Sequence, residues 1–145
     1  VISESFRWAC LVPELLVSNL DASLSFWCEL IGFTVAYERS AERFAYLHLD
    51  GAQVMLEEQG TGERHWITGE LTSPLGRGVN FQIKVPDLDR PLWHLKQAGW
   101  PLFMEVEEKW YSAGNVETGV RQFLVQDPDG YLLRLSMPLG QRLSA

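Results

Sequence analysis

The chain is short of cysteine, of long apolar runs, of positive charge and of paired histidines, and each shortage removes a class of function. Its two cysteines, Cys10 and Cys28, show no C-x-x-C spacing. That argues against a disulfide scaffold or a cysteine redox motif, and a reducing, cytoplasmic compartment fits, with a single disulfide left open. No stretch approaches the ~20 apolar residues of a membrane-spanning helix, and no leader pattern opens the chain. A chain that begins at Val1 rather than Met is expected to be a trimmed or processed form. Twelve Lys and Arg stand against 19 Asp and Glu, a net charge of −7, with no basic run. Such a balance argues against nucleic acid as a partner and slightly favours a cationic ligand. His48, His65 and His94 never stand at a metal-binding spacing to one another or to a cysteine. Gly60-Thr-Gly62 is too short for a phosphate loop, and no Ser or Cys sits in an elbow or beside a sequence-adjacent base.

What is present is strand patterning around defined turns. In Val120 to Ser136, Phe123 and Val125 alternate with Gln122, Leu124 and Gln126 before Asp127-Pro-Asp-Gly130. Tyr131, Leu133 and Leu135 then alternate with Leu132 and Arg134. Period-two patterning on both arms of a Pro-Asp-Gly turn predicts a β-hairpin. A counterpart lies in the first half, where Phe44 to Leu49 and Ala52 to Glu57 flank Asp50-Gly51.

The remaining elements fall into place around these hairpins. Phe6 to Val17 reads as a strand interrupted by Pro13, hence an edge or a bulge. Asn19 or Asp21 caps a helix that runs to about Leu30, with Leu20, Leu24, Trp27, Cys28 and Ile31 on its apolar face and Gly32 as its stop. Phe33 to Arg39 is the next strand. Gln59 to Arg77 is a long irregular loop with Trp66 in its middle, the kind of segment that serves as a lid or binding loop. Gly78 to Val85 is a strand, and Asp87 caps a second helix with Leu88, Leu92, Leu95 and Ala98 on its apolar face, ended by Gly99. Pro101 to Glu107 is a strand, and Lys109 to Gly119 is expected to be a polar loop. Both halves therefore read β-α-β-β-β. The junction Val17-Ser-Asn-Leu-Asp recurs as Val85-Pro-Asp-Leu-Asp, which points to a duplicated unit.

These pieces resemble a known family. Val17-x-Asn-Leu-x-x-Ser23-x-x-Phe26-Trp27 with Leu30-Ile-Gly-Phe33 is similar to the first-module signature of the vicinal oxygen chelate superfamily, and Gln122 to Arg134 is similar to its second-module hairpin. The superfamily includes glyoxalase I, extradiol dioxygenases, fosfomycin-resistance enzymes and bleomycin-resistance proteins. The resemblance implies an α+β fold of two tandem βαβββ modules, about 6–58 and 78–137, in a single domain over 1–145. Their curled mixed sheets would enclose a concave cavity, usually in a homodimer.

Metalloenzymes of the family carry ligands on the first and last strands of each module, and the matching positions here are Val12, Glu57, Asn80 and Arg134. Only Glu57 suits a catalytic divalent ion, because Asn80 offers a neutral carbonyl, Val12 nothing, and Arg134 a permanent cation. The expectation is no metal and no cofactor, with Glu57 paired to Arg134 where the metal would stand. Glu57 also reads as a solvated strand end beside Glu58, and Arg121 as turned either inward or outward. Trp66, Trp110 and Tyr111 lie in the two expected loops and would line either the cavity rim or a dimer interface. Phe44, Tyr46 and His48 share one strand face, and Phe123 lies beside Arg121 and Gln122. The expected function is that of a bleomycin-resistance-like protein binding a cationic or aromatic small molecule, with a divergent metal-dependent lyase or dioxygenase as the alternative. A third reading is a structural or regulatory module that has kept the fold alone.

Overall fold

The structure is a computed structural model, and it describes residues 2–60 and 66–145. It is α+β, built from two four-stranded mixed sheets, neither of them closed, with a βαβββ order in each half. The described chain divides into two compact units. Unit 1 is Val1–Leu75 together with Asp127–Gly130, and unit 2 is Gly76–Gln126 together with Tyr131–Ala145.

Unit 1 contains β1 (Glu14–Val17), α1 (Leu20–Leu24), β2 (Thr34–Arg39), β3 (Phe44–Leu49) and β4 (Ala52–Glu58). The strand order is β1-β4-β3-β2, with β1 parallel to β4 and the other pairs antiparallel. The β3–β4 hairpin turns on Asp50 (φ 47) and Gly51 (φ 93), two consecutive left-handed residues whose twist matches that of the flanking strands. Asn19 is the helix cap, its side chain accepting from the Ala22 N–H at 3.0 Å. Beyond Leu24 the helix widens into π-helical turns over Ser25–Ile31, which bury Phe26 and Trp27 against one face of the sheet with Leu15, Val17, Leu47 and Leu56. The expected strand over 6–17 is confined to Glu14–Val17. Pro13 still offers its carbonyl to the Met55 N–H at 2.9 Å, but residues 6–12 pair with no strand.

The turn Asp127–Gly130 closes the later β7–β8 hairpin yet belongs to unit 1. Asp127 is its hub. Its carboxylate accepts from the buried Trp27 indole N–H at 3.1 Å and from the Asp129 N–H at 2.9 Å. Its carbonyl accepts from the Gly130 N–H at 3.0 Å. Asp129 in turn accepts the Ser18 N–H at 3.1 Å on its side chain and the Leu75 N–H at 2.8 Å on its carbonyl. Both carboxylates are buried, so these bonds supply the compensation that burial of charge requires.

Glu58, rather than its neighbour Glu57, anchors the start of the helix. It accepts from the Leu20 N–H at 2.9 Å and from the Arg43 guanidinium at 2.9 Å, and Arg43 also reaches Asp21 at 3.1 Å. The Arg43 hydrogen bond, and then the Leu20 amide, hold the Glu58 carboxyl below its ordinary value of 4.5. A depressed folded value means the stabilisation is complete above the unfolded value and is lost as pH falls through the folded one. We therefore expect the urea midpoint of the wild type to decline on acidification below about 4.5. In Glu58→Gln that part of the decline should be missing, and a parallel decline in both proteins would contradict the assignment.

Unit 2 contains β5 (Asn80–Lys84), α2 (Asp89–Gln97), β6 (Met104–Ala113), β7 (Val116–Gln126) and β8 (Leu132–Leu143), in the order β5-β8-β7-β6. Asp87 accepts the Asp89 N–H at 2.9 Å, but the cap position itself falls on Leu88, one residue later than expected. The expected loop over Lys109 to Gly119 is instead a two-residue hairpin. β6 and β7 pair through Ala113↔Val116 around Gly114-Asn115. The polar side chains there hid a turn signal that the Gly-Asn pair carries.

Candidate functional site

Cross-strand register decides which side chains share a face, because paired residues point to the same side of a sheet. In unit 1 the pairs Phe44↔Glu57, Tyr46↔Met55 and His48↔Gln53 put Phe44, Tyr46, His48 and Glu57 together on the face away from α1. Tyr37↔Tyr46 and Arg39↔Phe44 add two residues that strand patterning alone did not single out. The rings make a continuous aromatic floor. Tyr37 stacks on Tyr46 at 5.4 Å between centroids, and Tyr37 and Phe44 stand 5.9 Å apart. The Arg39 guanidinium lies over the Phe44 ring at 3.9 Å and is itself paired with Glu42. A guanidinium at that height on an aromatic ring is worth about 0.5–2 kcal/mol.

Residues 5–12 cross this floor as a strap. The Trp8 ring meets Tyr46 edge-on at 5.1 Å and Tyr37 at 6.0 Å, while Phe6 meets His48 at 5.0 Å. Gln53, almost fully buried, fastens the strap: its Oε1 accepts the Ala9 N–H at 2.9 Å and its Nε2 donates to the Arg7 carbonyl at 2.6 Å. The Tyr46 hydroxyl also donates to Gln53 Oε1. Burial, then the nearby Tyr37, raises the Tyr46 phenol above its ordinary value, so it remains a donor at neutral pH. A cleft of about 430 Å³ opens beside the strap at the Asp50-Gly51 turn, lined by Phe6, Arg7, Thr34, His48 and Gln53 among others.

The face of unit 2 away from α2 is polar. Asn80, Gln82, Arg134, Ser136 and Gln122 share it, by the pairs Asn80↔Leu132, Gln82↔Arg134 and Gln122↔Ser136. The neighbour of Arg134 is thus Gln82, whose Oε1 accepts from Arg134 Nη2 at 3.1 Å, and not Asn80. Gln82 Nε2 reaches the Ser136 hydroxyl at 3.3 Å. Tyr111 joins this face: Gln122 Nε2 donates to the Tyr111 hydroxyl and to Glu107 Oε1, each at 3.0 Å.

Three expected site residues of unit 2 point the other way, by the period-two rule. Phe123 is fully buried with Val125, Leu133 and Leu135 and is a core residue. Arg121 turns to α2 and pairs with Asp89 at 3.2 Å. Trp110 lies flat across Gly119, with the Arg142 guanidinium over its ring at 4.1 Å, so packing on its own sheet accounts for it. Trp66 is 74% exposed and outside any strand or helix. His65, Thr61 and Gly62 lie outside the described residues. Both cysteines are free, and burial, then Glu29, raises the Cys28 thiol above its ordinary value, which makes it a poor nucleophile.

Among the described residues, the donors at the positions matched to family ligands do not fit a catalytic divalent metal. No group of three or more His, Cys, Asp or Glu converges among the described residues. The four positions matched to family ligands hold a valine, a glutamate, an asparagine and an arginine. No described helix is long and apolar enough to cross a membrane.

Comparison with known proteins agrees with this architecture. The family model described as Glyoxalase/Bleomycin resistance protein/Dioxygenase superfamily matches residues 10–135. A bleomycin resistance protein of Geobacillus stearothermophilus is 24% identical over 131 residues, 84% of this chain and 91% of that one. A solved superfamily member from Vibrio splendidus 12B01 is 38% identical, covering 86% of this chain and 94% of its own, with a TM-score of 0.38. TioX from Micromonospora sp. ML1 is similar in fold, with a TM-score of 0.70 at 23% identity over 91% of this chain and all (100%) of that one.

Proposed function

The chain belongs to the glyoxalase/bleomycin resistance protein/dioxygenase superfamily, and from that premise we propose that it is a small-molecule binding protein of the bleomycin-resistance kind, sequestering a cationic or aromatic compound without a catalytic metal. The observation that carries this is the aromatic floor of unit 1, on which the chain's own Arg39 guanidinium already rests at 3.9 Å from the Phe44 centroid. A surface that accepts a planar cation from within accepts one from a ligand by the same quadrupole attraction. The exposed Trp8 and the half-buried Tyr37 supply stacking area over the buried Tyr46, and Glu57 and His48 on the same face supply polar contacts. In unit 2, Asn80, Tyr111 and Arg134 are the corresponding contacts, and Glu57 in unit 1 and Arg134 in unit 2 each supply a charged group on their own unit. The protein acts as one domain, in a cytoplasmic homodimer. The free thiols support that compartment, and the open sheet edges β2 and β6 support pairing of subunits.

The test is a thermal-shift screen of the purified protein with bleomycin, planar guanidinium and amidinium compounds and neutral aromatics, alongside metal analysis and light scattering. A ligand at a hundred times its Kd stabilises the folded state by about 2.7 kcal/mol, a readily measured rise in Tm. We expect such a rise for a planar cation, its loss in Tyr37→Ala, and a mass twice 16.5 kDa. One tightly held iron, manganese, nickel or zinc ion per chain, with turnover, would overturn the reading.

A further inference from the structure

The polar face of unit 2 holds two buried polar atoms with no hydrogen-bond partner, Arg134 Nε and Gln122 Oε1. They are of opposite kind, one a donor and one an acceptor. They are also neighbours in the register: Gln122 is opposite Ser136, and Arg134 is opposite Leu124, so the two long side chains are diagonal on adjacent strands of one face. The polar atoms beside them are bonded to one another. Arg134 Nη2 is held by Gln82, Gln82 Nε2 by Ser136, and Gln122 Nε2 by Glu107 and Tyr111. The Glu107 carboxylate fixes the orientation of the Gln122 amide, because a flipped amide would set two acceptors against each other. Gln122 is 3% exposed and Ser136 1%, so the row is built into the sheet rather than scattered on its surface. An orphaned buried donor or acceptor costs free energy that a complementary partner would recover.

We propose that this face is a recognition site for a carboxamide group, whose C=O accepts from Arg134 Nε–H while its N–H donates to Gln122 Oε1. The inference deepens the small-molecule reading above and rests on it, assigning to unit 2 a ligand that carries an amide. A carboxylate fits less well, because its second oxygen would face the Gln122 acceptor. Sequence patterning could not supply this, since Gln82 and Gln122 become partners of Arg134 and Glu107 only through the strand register.

The experiment uses the full ¹⁵N-labelled chain and follows the Arg134 Nε–H and Gln122 Nε2 resonances during titration with benzamide and, separately, with benzoate. Benzamide should shift both resonances saturably, and benzoate should bind at least tenfold more weakly. Arg134→Lys keeps the charge but removes the Nε donor, and Gln122→Met removes the acceptor. Each should weaken benzamide binding at least tenfold while the backbone spectrum stays folded. Equal or tighter binding of benzoate would overturn the proposal in favour of a plain anion site, and so would the absence of any shift with benzamide. Benzamidine serves as the independent arm. If it shifts the Tyr37 and Tyr46 region while benzamide shifts nothing, the amide assignment fails and the small-molecule reading survives; if no probe shifts either face, both fail.

Discussion

Replacing Gly130 by alanine is expected to cost about 3–5 kcal/mol and to lower the thermal midpoint by roughly 10 °C or more. Two independent effects act at this position. Gly130 adopts φ +99, a conformation that side chains rarely take, and strain of that kind costs about 1–3 kcal/mol. A Cβ there would also stand 2.4 Å from Pro74 Cβ, 2.7 Å from Pro74 Cα and 3.1 Å from the Leu75 nitrogen. Two of those three atoms are backbone, which cannot rotate away as a side chain would. The matched control is Gly99→Ala. Gly99 has φ +66 but nothing within 4 Å of its Cβ position, so only the strain applies, about 1 kcal/mol. Urea or thermal denaturation of both variants checks the difference. Equal losses in the two would mean that the approach of Pro74 is not what makes glycine necessary at this turn.

The second large effect is at Trp27. Trp27→Ala should lose about 3–5 kcal/mol, the usual cost of emptying the site of a buried tryptophan. Trp27→Phe removes the indole N–H together with one of its two rings, so the hydrogen bond is separated from packing only by a double-mutant cycle. Asp127 would then lose the 3.1 Å bond inside a buried turn, at a cost of about 1–3 kcal/mol. The prediction is a double-mutant cycle with Asp127→Asn in which the two losses are not additive. Full additivity would show that the Trp27–Asp127 bond carries no coupling energy. Trp27 looked like an ordinary core aromatic on an apolar helix face, and its bond to a residue 100 positions away has no trace in helical periodicity.

The candidate site was partly legible in the same way. Alternation alone puts Phe44, Tyr46 and His48 on one face, and register adds Glu57 to that face. Trp110 and Phe123 were misjudged for different reasons. The polar run Lys109 to Gly119 reads as a loop, yet Trp110 lies within β6 because the Gly114-Asn115 pair turns the chain into a hairpin. Phe123 alternates with Gln122, and alternation says which residues share a side without saying which side meets a helix. Arg121 followed Phe123 to the helix side, where Asp89 takes it.

By itself the sequence determined the β3–β4 and β7–β8 hairpins, the approximate place of each helix start and the repeated βαβββ order. Turn chemistry, caps and the two periods are local properties, written within a few residues of one another. Tertiary structure decided the rest. The strap of residues 5–12 lies across the aromatic floor instead of adding a strand, held there by the buried Gln53 side chain, which bonds the Ala9 N–H and the Arg7 carbonyl. Gln82, which sequence patterning does not single out, partners Arg134 because strand pairing sets the two side by side. The Asp-Pro-Asp-Gly turn was readable as a turn, but its attachment to Trp27, Ser18 and Leu75 was not. Contacts over such sequence separations depend on the packing of whole elements, and no short window of residues encodes them.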